Sequence, residues 1–158
     1  MRRPKLLVAL FSLSLLVTLI AVGCAGTSST HGLSLAPLAG MPADVQSAPG
    51  SVQEAYRFAA ANSEVLMQIP CYCGCGAMGH TSNYACYISG ENGDGNLSFD
   101  SHALGCSICV DITQDTMRLL KQGKSVAEIR TYVDQTYAQY GPSNMLGVNG
   151  TPGVNNTP

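Results

Sequence analysis

Cysteine and histidine are concentrated in one stretch of the sequence, from Cys71 to Cys109. Six of the seven cysteines and two of the three histidines lie within it. Thiolate and imidazole are the ligands that Cu(I) and Zn(II) prefer in proteins. The stretch therefore predicts a site for a thiophilic metal ion. The candidate ligands are Cys71, Cys73, Cys75, His80, Cys86, His102, Cys106 and Cys109.

The spacing of these cysteines supports ligation. Cys71, Cys73 and Cys75 alternate with other residues, and glycines flank the third. Glycine adopts backbone dihedrals that other residues avoid, so the segment can turn several sulfurs toward one ion. A disulfide between alternate residues of an extended chain would be strained. Cys106 and Cys109 form a C-x-x-C at a predicted helix start, where the helix dipole favours thiolates.

Several chemistries are compatible with these residues. Six thiolates and two imidazoles suffice for two tetrahedral sites, as zinc prefers, or for one polynuclear thiolate cluster. Cu(I) is equally suited to soft thiolates. An iron–sulfur cluster held by four of the cysteines is a further alternative. If the six cysteines instead pair as three disulfides, the segment is a stapled scaffold without metal.

A redox interpretation uses only the C-x-x-C. Cys106, at the helix N-terminus, would have a lowered pKa and attack a disulfide, and Cys109 would resolve the product. No strand–helix–strand repeat is predicted around this pair, so the fold would not be that of thioredoxin. The sequence favours a binding protein over an enzyme.

The N-terminal residues predict export and lipid anchoring. A basic start at Met1–Lys5 precedes the apolar run Leu6–Val22, which is typical of a signal peptide covering residues 1–23. Ile20–Cys24 has the pattern of a lipobox and predicts lipid attachment at Cys24. Residues 24–50 are rich in Gly, Ser, Thr, Ala and Pro, which predicts a flexible tether.

Charge and export limit the partners. Cleavage would leave five basic and ten acidic residues, and this acidic balance argues against nucleic acid as a partner. The predicted location is the extracytoplasmic face of the bacterial cell membrane, where disulfides are permitted. The expected partners are the membrane, through the lipid anchor, and a protein that receives metal or exchanges thiols.

The predicted fold is a small, mainly α domain over residues 51–141. A helix begins at the capping box of Ser51 and Glu54 and runs to about Ala61. Residues 70–105 form an irregular Cys-rich middle, with one short strand predicted at Tyr84–Ile88. A loop this long is uncommon in a compact domain unless metal or disulfides pin it.

A C-terminal antiparallel helical hairpin is predicted after the Cys-rich middle. Its first helix begins near Cys106, and Gly123 is suited to the position after the helix end. Its second helix begins at a capping box of Ser125 and Glu128. Residues 142–158, mostly Asn, Gly, Pro and Thr, predict a disordered tail.

The strings Pro70–Cys75, Gly79-His80 and Cys106–Asp111 resemble the bacterial lipoprotein family named for its PCYCGC motif. The resemblance covers about residues 51–141. It implies lipoprotein character and leaves the biochemical role open.

The C-terminal part is similar to the thiol-reductase subunit of cytochrome c maturation, a small membrane-anchored helical bundle. The similarity covers residues 106–141 and rests on the C-x-x-C, a helix, Gly123-Lys124-Ser125, Glu128-Ile129-Arg130, Tyr132 and Tyr140-Gly141. It implies that Cys106 and Cys109 are a redox pair. The chain departs from that family at Gly105 and Val110 and in its four additional cysteines.

Overall fold

The chain is built mainly from α-helices, and the computed structural model describes residues 33–145. A two-stranded antiparallel sheet, β1 (Ile88–Glu91) and β2 (Leu97–Phe99), lies between the third and fourth helices. The predicted fold class is confirmed. The five α-helices of the described residues are α1 (Ala43–Ser47), α2 (Gly50–Ala61), α3 (Ser63–Leu66), α4 (Ser107–Lys121) and α5 (Val126–Tyr137).

Helices α4 and α5 form the predicted antiparallel hairpin. Arg118 on α4 donates to the hydroxyl of Tyr132 on α5 at 3.2 Å, and Asp115 accepts from Tyr137 at 2.9 Å. Contacts nearer the C-terminus of α5 involve residues nearer the N-terminus of α4, so the two helices are antiparallel. The capping box at Ser125 is also confirmed, with the Ser125 hydroxyl accepting from the Glu128 backbone at 3.3 Å.

The capping box predicted at Ser51 is wrong. The N-cap of helix α2 is Pro49, two residues earlier, and it makes no side-chain cap. The carbonyl of Pro49 accepts from the amides of the first turn, which places Ser51 inside the helix. Glu54 instead accepts a hydrogen bond at 3.2 Å from Gln114 of α4, so it joins two helices rather than capping one.

The described part of the predicted tether, residues 33–50, is packed against the domain. Met41 and Val45 are buried. The backbone of Ala36 exchanges hydrogen bonds with Arg57 of α2, one to its side chain and one to its backbone. A few apolar side chains within a Gly- and Pro-rich composition therefore suffice to cover α2. The predicted signal peptide, lipobox and first part of the tether lie outside the described residues.

The Cys-rich middle is organised by three 3₁₀ turns rather than by the predicted strand. They are Cys75–Met78, Tyr84–Cys86 and His102–Leu104. The strand prediction at Tyr84–Ile88 is wrong except for Ile88, because Cys86, Tyr87 and Ile88 are all buried and so break the alternation of a half-exposed strand. Residues 92–96 form a turn between β1 and β2.

The hydrophobic core lies between α2, α4 and α5. Tyr56 and Tyr87 are fully buried, and their rings meet edge to face at 5.0 Å. Phe58, Ile112 and Ile129 fill the same core. None of the helices within residues 33–145 is long and apolar enough to cross a membrane.

Candidate metal centre

The structure brings all eight candidate side chains together. Their ligand atoms fall into four overlapping groups, and within each group they lie within 4.8 Å of one another. That these residues bind a metal ion stays a prediction, but their convergence is a feature of the fold. The groups are Cys73/His102/Cys106/Cys109, Cys75/His80/Cys86/His102, Cys71/Cys73/Cys75 and Cys71/Cys86/Cys109.

The segment Cys71–Cys75 directs its sulfurs inward by strand-like alternation followed by a turn. The side chain of Tyr72 points away from them, and its hydroxyl donates to Asp134 of α5 at 2.6 Å. Gly74 then adopts φ +82°, a left-handed conformation that suits glycine. The chain enters the 3₁₀ turn with Cys75 buried. The alternation of Cys with other residues thus serves both the cluster and the contact with α5.

Three sulfurs form a compact triangle. The Sγ atom of Cys71 lies 3.4 Å from the Sγ atom of Cys73 and 3.4 Å from that of Cys109. The Sγ atoms of Cys73 and Cys109 are 3.5 Å apart. A disulfide bond of about 2.0 Å joins only two sulfurs and leaves the third, whereas one ion contacts all three. The six cysteines of the described residues are free thiols.

A second group combines two sulfurs with two imidazoles. The Sγ atoms of Cys75 and Cys86 are 3.7 Å apart, and the rings of His80 and His102 meet edge to face at 5.2 Å. Asp100 lies beside both histidines. One carboxylate oxygen is 3.6 Å from His80 Nε2, and the other accepts from the backbone of His102 at 2.7 Å.

A buried hydrogen-bond network fixes the backbone of Cys109. Its carbonyl accepts from the hydroxyl of Tyr87 at 2.8 Å and from the amide of Asn83 at 3.2 Å. Thr113 donates to Asn83 Oδ1 at 2.6 Å, and its hydroxyl is 2.7 Å from that of Tyr87. These residues are not predictable from the sequence, because an Asn, a Thr and a Tyr in separate segments carry no local signal of shared positioning.

A C-terminal strap, residues 141–145, holds the Cys71–Cys75 segment from outside. The side-chain oxygen of Asn144 accepts from the Cys71 amide, and the Asn144 amide donates to the Cys71 carbonyl. The side-chain nitrogen of Asn144 donates to the Ser82 carbonyl at 3.0 Å and to Cys75 Sγ at 3.4 Å. Residues 142–145, predicted to be part of a disordered tail, are therefore packed, because Asn144 satisfies buried backbone groups. The rest of that predicted tail lies outside the described residues.

Contacts among the sulfurs shift their pKa values in opposite directions. Hydrogen bonding from Cys109 lowers the pKa of Cys71 to about 4 and also lowers that of Cys75. Hydrogen bonding with Cys71 raises the pKa of Cys73 to about 11, and bonding to Cys71 raises that of Cys109. Complete deprotonation of the cluster would pack like charges together unless a cation offset them.

Cys106 does not have the electrostatics of an attacking thiolate. It is half-buried at the N-cap of α4, and burial raises its pKa, which is opposite to the expected lowering. It borders an open groove of about 340 Å³ that Val52, Leu104 and Asp111 also line. The structure therefore gives the redox interpretation no support, and the resemblance to the thiol reductase stays a prediction.

Comparison with known proteins identifies a family of unknown function. The family described as a protein of unknown function with PCYCGC motif matches residues 13–145. No curated protein and no solved structure matches the chain. The function must therefore be inferred from the chemistry of the site.

Proposed function

We propose that this chain, which belongs to the PCYCGC-motif family, binds a thiophilic metal ion, Cu(I) or Zn(II), through its cluster of six cysteines and two histidines. The observation that carries the proposal is the convergence of all eight donors into groups within 4.8 Å. Thiolate and imidazole are the donors that both ions prefer.

The opposed pKa shifts of the clustered thiols agree with this function. Five of the cysteines have their pKa values shifted in opposite directions by contacts with one another. A bound cation would replace the thiol protons and offset the repulsion between thiolates, because metal binding releases protons from its ligands. A bound cation would therefore stabilise the ionised thiols, which would repel one another without it.

The proposed role is metal handling or delivery at the extracytoplasmic face of the bacterial membrane. The signal-like N-terminus and Cys24 support a lipid anchor there. Cys73, His102 and Cys106 are only partly buried, whereas Cys71, Cys86 and Cys109 are fully enclosed. The partly buried donors offer a side on which a partner protein could receive the ion.

The test is elemental analysis of the purified chain, kept anaerobic so that its thiols stay reduced. We expect at least one equivalent of copper or zinc, and its loss when Cys75 and Cys109, which together belong to all four donor groups, are both replaced by serine. Cys24→Ser is the matched control, since it removes a cysteine outside the cluster and should retain the metal. Three disulfides and no metal would instead support the scaffold. Iron with sulfide would indicate an iron–sulfur cluster.

A further inference from the structure

The eight donors are too many for one ion. Tetrahedral zinc takes four ligands, so a single ion would leave about half of the set unused. Two of the donors, His80 and Cys106, also indicate that the set divides into two groups. His80 belongs to the group with Cys75, Cys86 and His102, whereas Cys106 belongs to the group with Cys73, Cys109 and the same His102. No group contains both His80 and Cys106.

Among the eight donors, His80 has the clearest features of a metal ligand. Its Nδ1 atom is buried and, within residues 33–145, has no hydrogen-bond partner. An unsatisfied buried polar atom costs free energy unless a ligand satisfies it. Its other nitrogen faces the carboxylate of Asp100 at 3.6 Å. A carboxylate behind a histidine is the arrangement that orients imidazole ligands of zinc.

The spacing of Cys75 and Cys86 suits the same ion. Two sulfurs bound at about 2.3 Å in a tetrahedral geometry lie roughly 3.8 Å apart, and these two are 3.7 Å apart. With His80 and His102 they make a Cys₂His₂ set. The triangle of Cys71, Cys73 and Cys109 differs in its donors, because all three are sulfur, the donor that selects Cu(I).

We infer that the cluster holds two ions in two chemically different centres. The mixed centre, Cys75/His80/Cys86/His102, takes a tetrahedral divalent ion of the zinc type. The sulfur centre, Cys71/Cys73/Cys109 with Cys106 at its edge, takes Cu(I). This inference rests on the proposed function and assigns ligands and ion class within it. His102 Nε2 is 3.4 Å from Cys73 Sγ, so the two centres are adjacent.

The experiment loads the anaerobic protein with Co²⁺, as a coloured substitute for zinc, and with Cu(I), then removes free metal and measures both ions. We expect one cobalt with the visible bands of a tetrahedral thiolate site, and one copper. His80→Ala should weaken cobalt binding at least tenfold and keep the copper. Cys73→Ser should weaken copper binding and keep the cobalt bands.

Asp100→Asn guards against a variant that fails to fold. It retains an oxygen for the backbone of His102 but removes the charge facing His80, and should weaken cobalt binding by about 10–100-fold with copper unchanged. One ion in total, or loss of both ions in each variant, overturns the two-centre inference and leaves metal binding standing. No metal at all overturns the proposed function itself.

Discussion

Asn144 and Cys71 exchange two hydrogen bonds across 73 residues of sequence. The Cys71 amide donates to Asn144 Oδ1 at 2.7 Å, and the Asn144 amide donates to the Cys71 carbonyl at 2.9 Å. The first cysteine of the motif is thus held by the strap rather than by its sequence neighbours. The strap is therefore part of the site, although it carries none of the eight donors.

Asn144→Ala should loosen the Cys71–Cys75 segment and weaken metal binding. It removes the acceptor for the Cys71 amide and the donor to Cys75 Sγ. A lost partner for a buried group costs about 1–3 kcal/mol, so the midpoint of urea unfolding should fall. Gln139→Ala, an exposed change nearby, is the control. Equal stability and metal affinity in both variants would contradict this role of the strap.

Thr113→Val should destabilise the domain although it preserves the side-chain shape. Asn83 Oδ1 loses its donor and the Tyr87 hydroxyl loses a neighbour. Leaving such buried groups unsatisfied costs about 1–3 kcal/mol, measurable by urea unfolding with a chelator present. Thr131→Val removes an exposed hydroxyl bonded within α5 and should have little effect. Equal decreases in the free energy of unfolding for the two variants would contradict a stabilising role for the buried network.

Gly141→Ala should disturb the strap at its first residue. A Cβ at this position would lie 2.9 Å from the Tyr72 carbonyl oxygen, so the backbone must shift. Overpacking of this kind costs about 1–3 kcal/mol. Gly93→Ala, with no heavy atom within 4 Å of its added Cβ, is the matched control. Thermal unfolding that is unchanged by Gly141→Ala would contradict the close approach.

The capping box of α5 predicts a pH dependence. Hydrogen bonds from the Ser125 backbone, then from Lys124, lower the pKa of Glu128 from 4.5 to about 2. A carboxylate whose pKa is lower in the folded state stabilises above its unfolded pKa, and this contribution is lost as the pH falls from about 4.5 to 2. Glu128→Gln should therefore lower Tm at pH 7 and have almost no effect at pH 2. An equal difference at both pH values would contradict this assignment.

The sequence predicts the helical hairpin and the identity of the clustered donors because both depend on local patterns. The capping box at Ser125 and the apolar period of α4 are readable within a few residues. The packing of Met41 and Val45 on α2, and that of Asn144 on Cys71, are contacts between distant segments. Asp100 lies two residues before His102, yet only the fold shows that it also faces His80.

X-ray absorption at the edge of the bound metal tests the central claim most directly. Metal binding by the cluster predicts a coordination shell of sulfur at about 2.3 Å, with nitrogen at about 2.0–2.1 Å where zinc is bound. Cys75→Ser with Cys109→Ser, which removes one ligand from each of the four donor groups, should remove most of the sulfur signal. A shell of oxygen alone, or a spectrum that this double variant leaves unchanged, would contradict metal binding by the cysteine and histidine cluster.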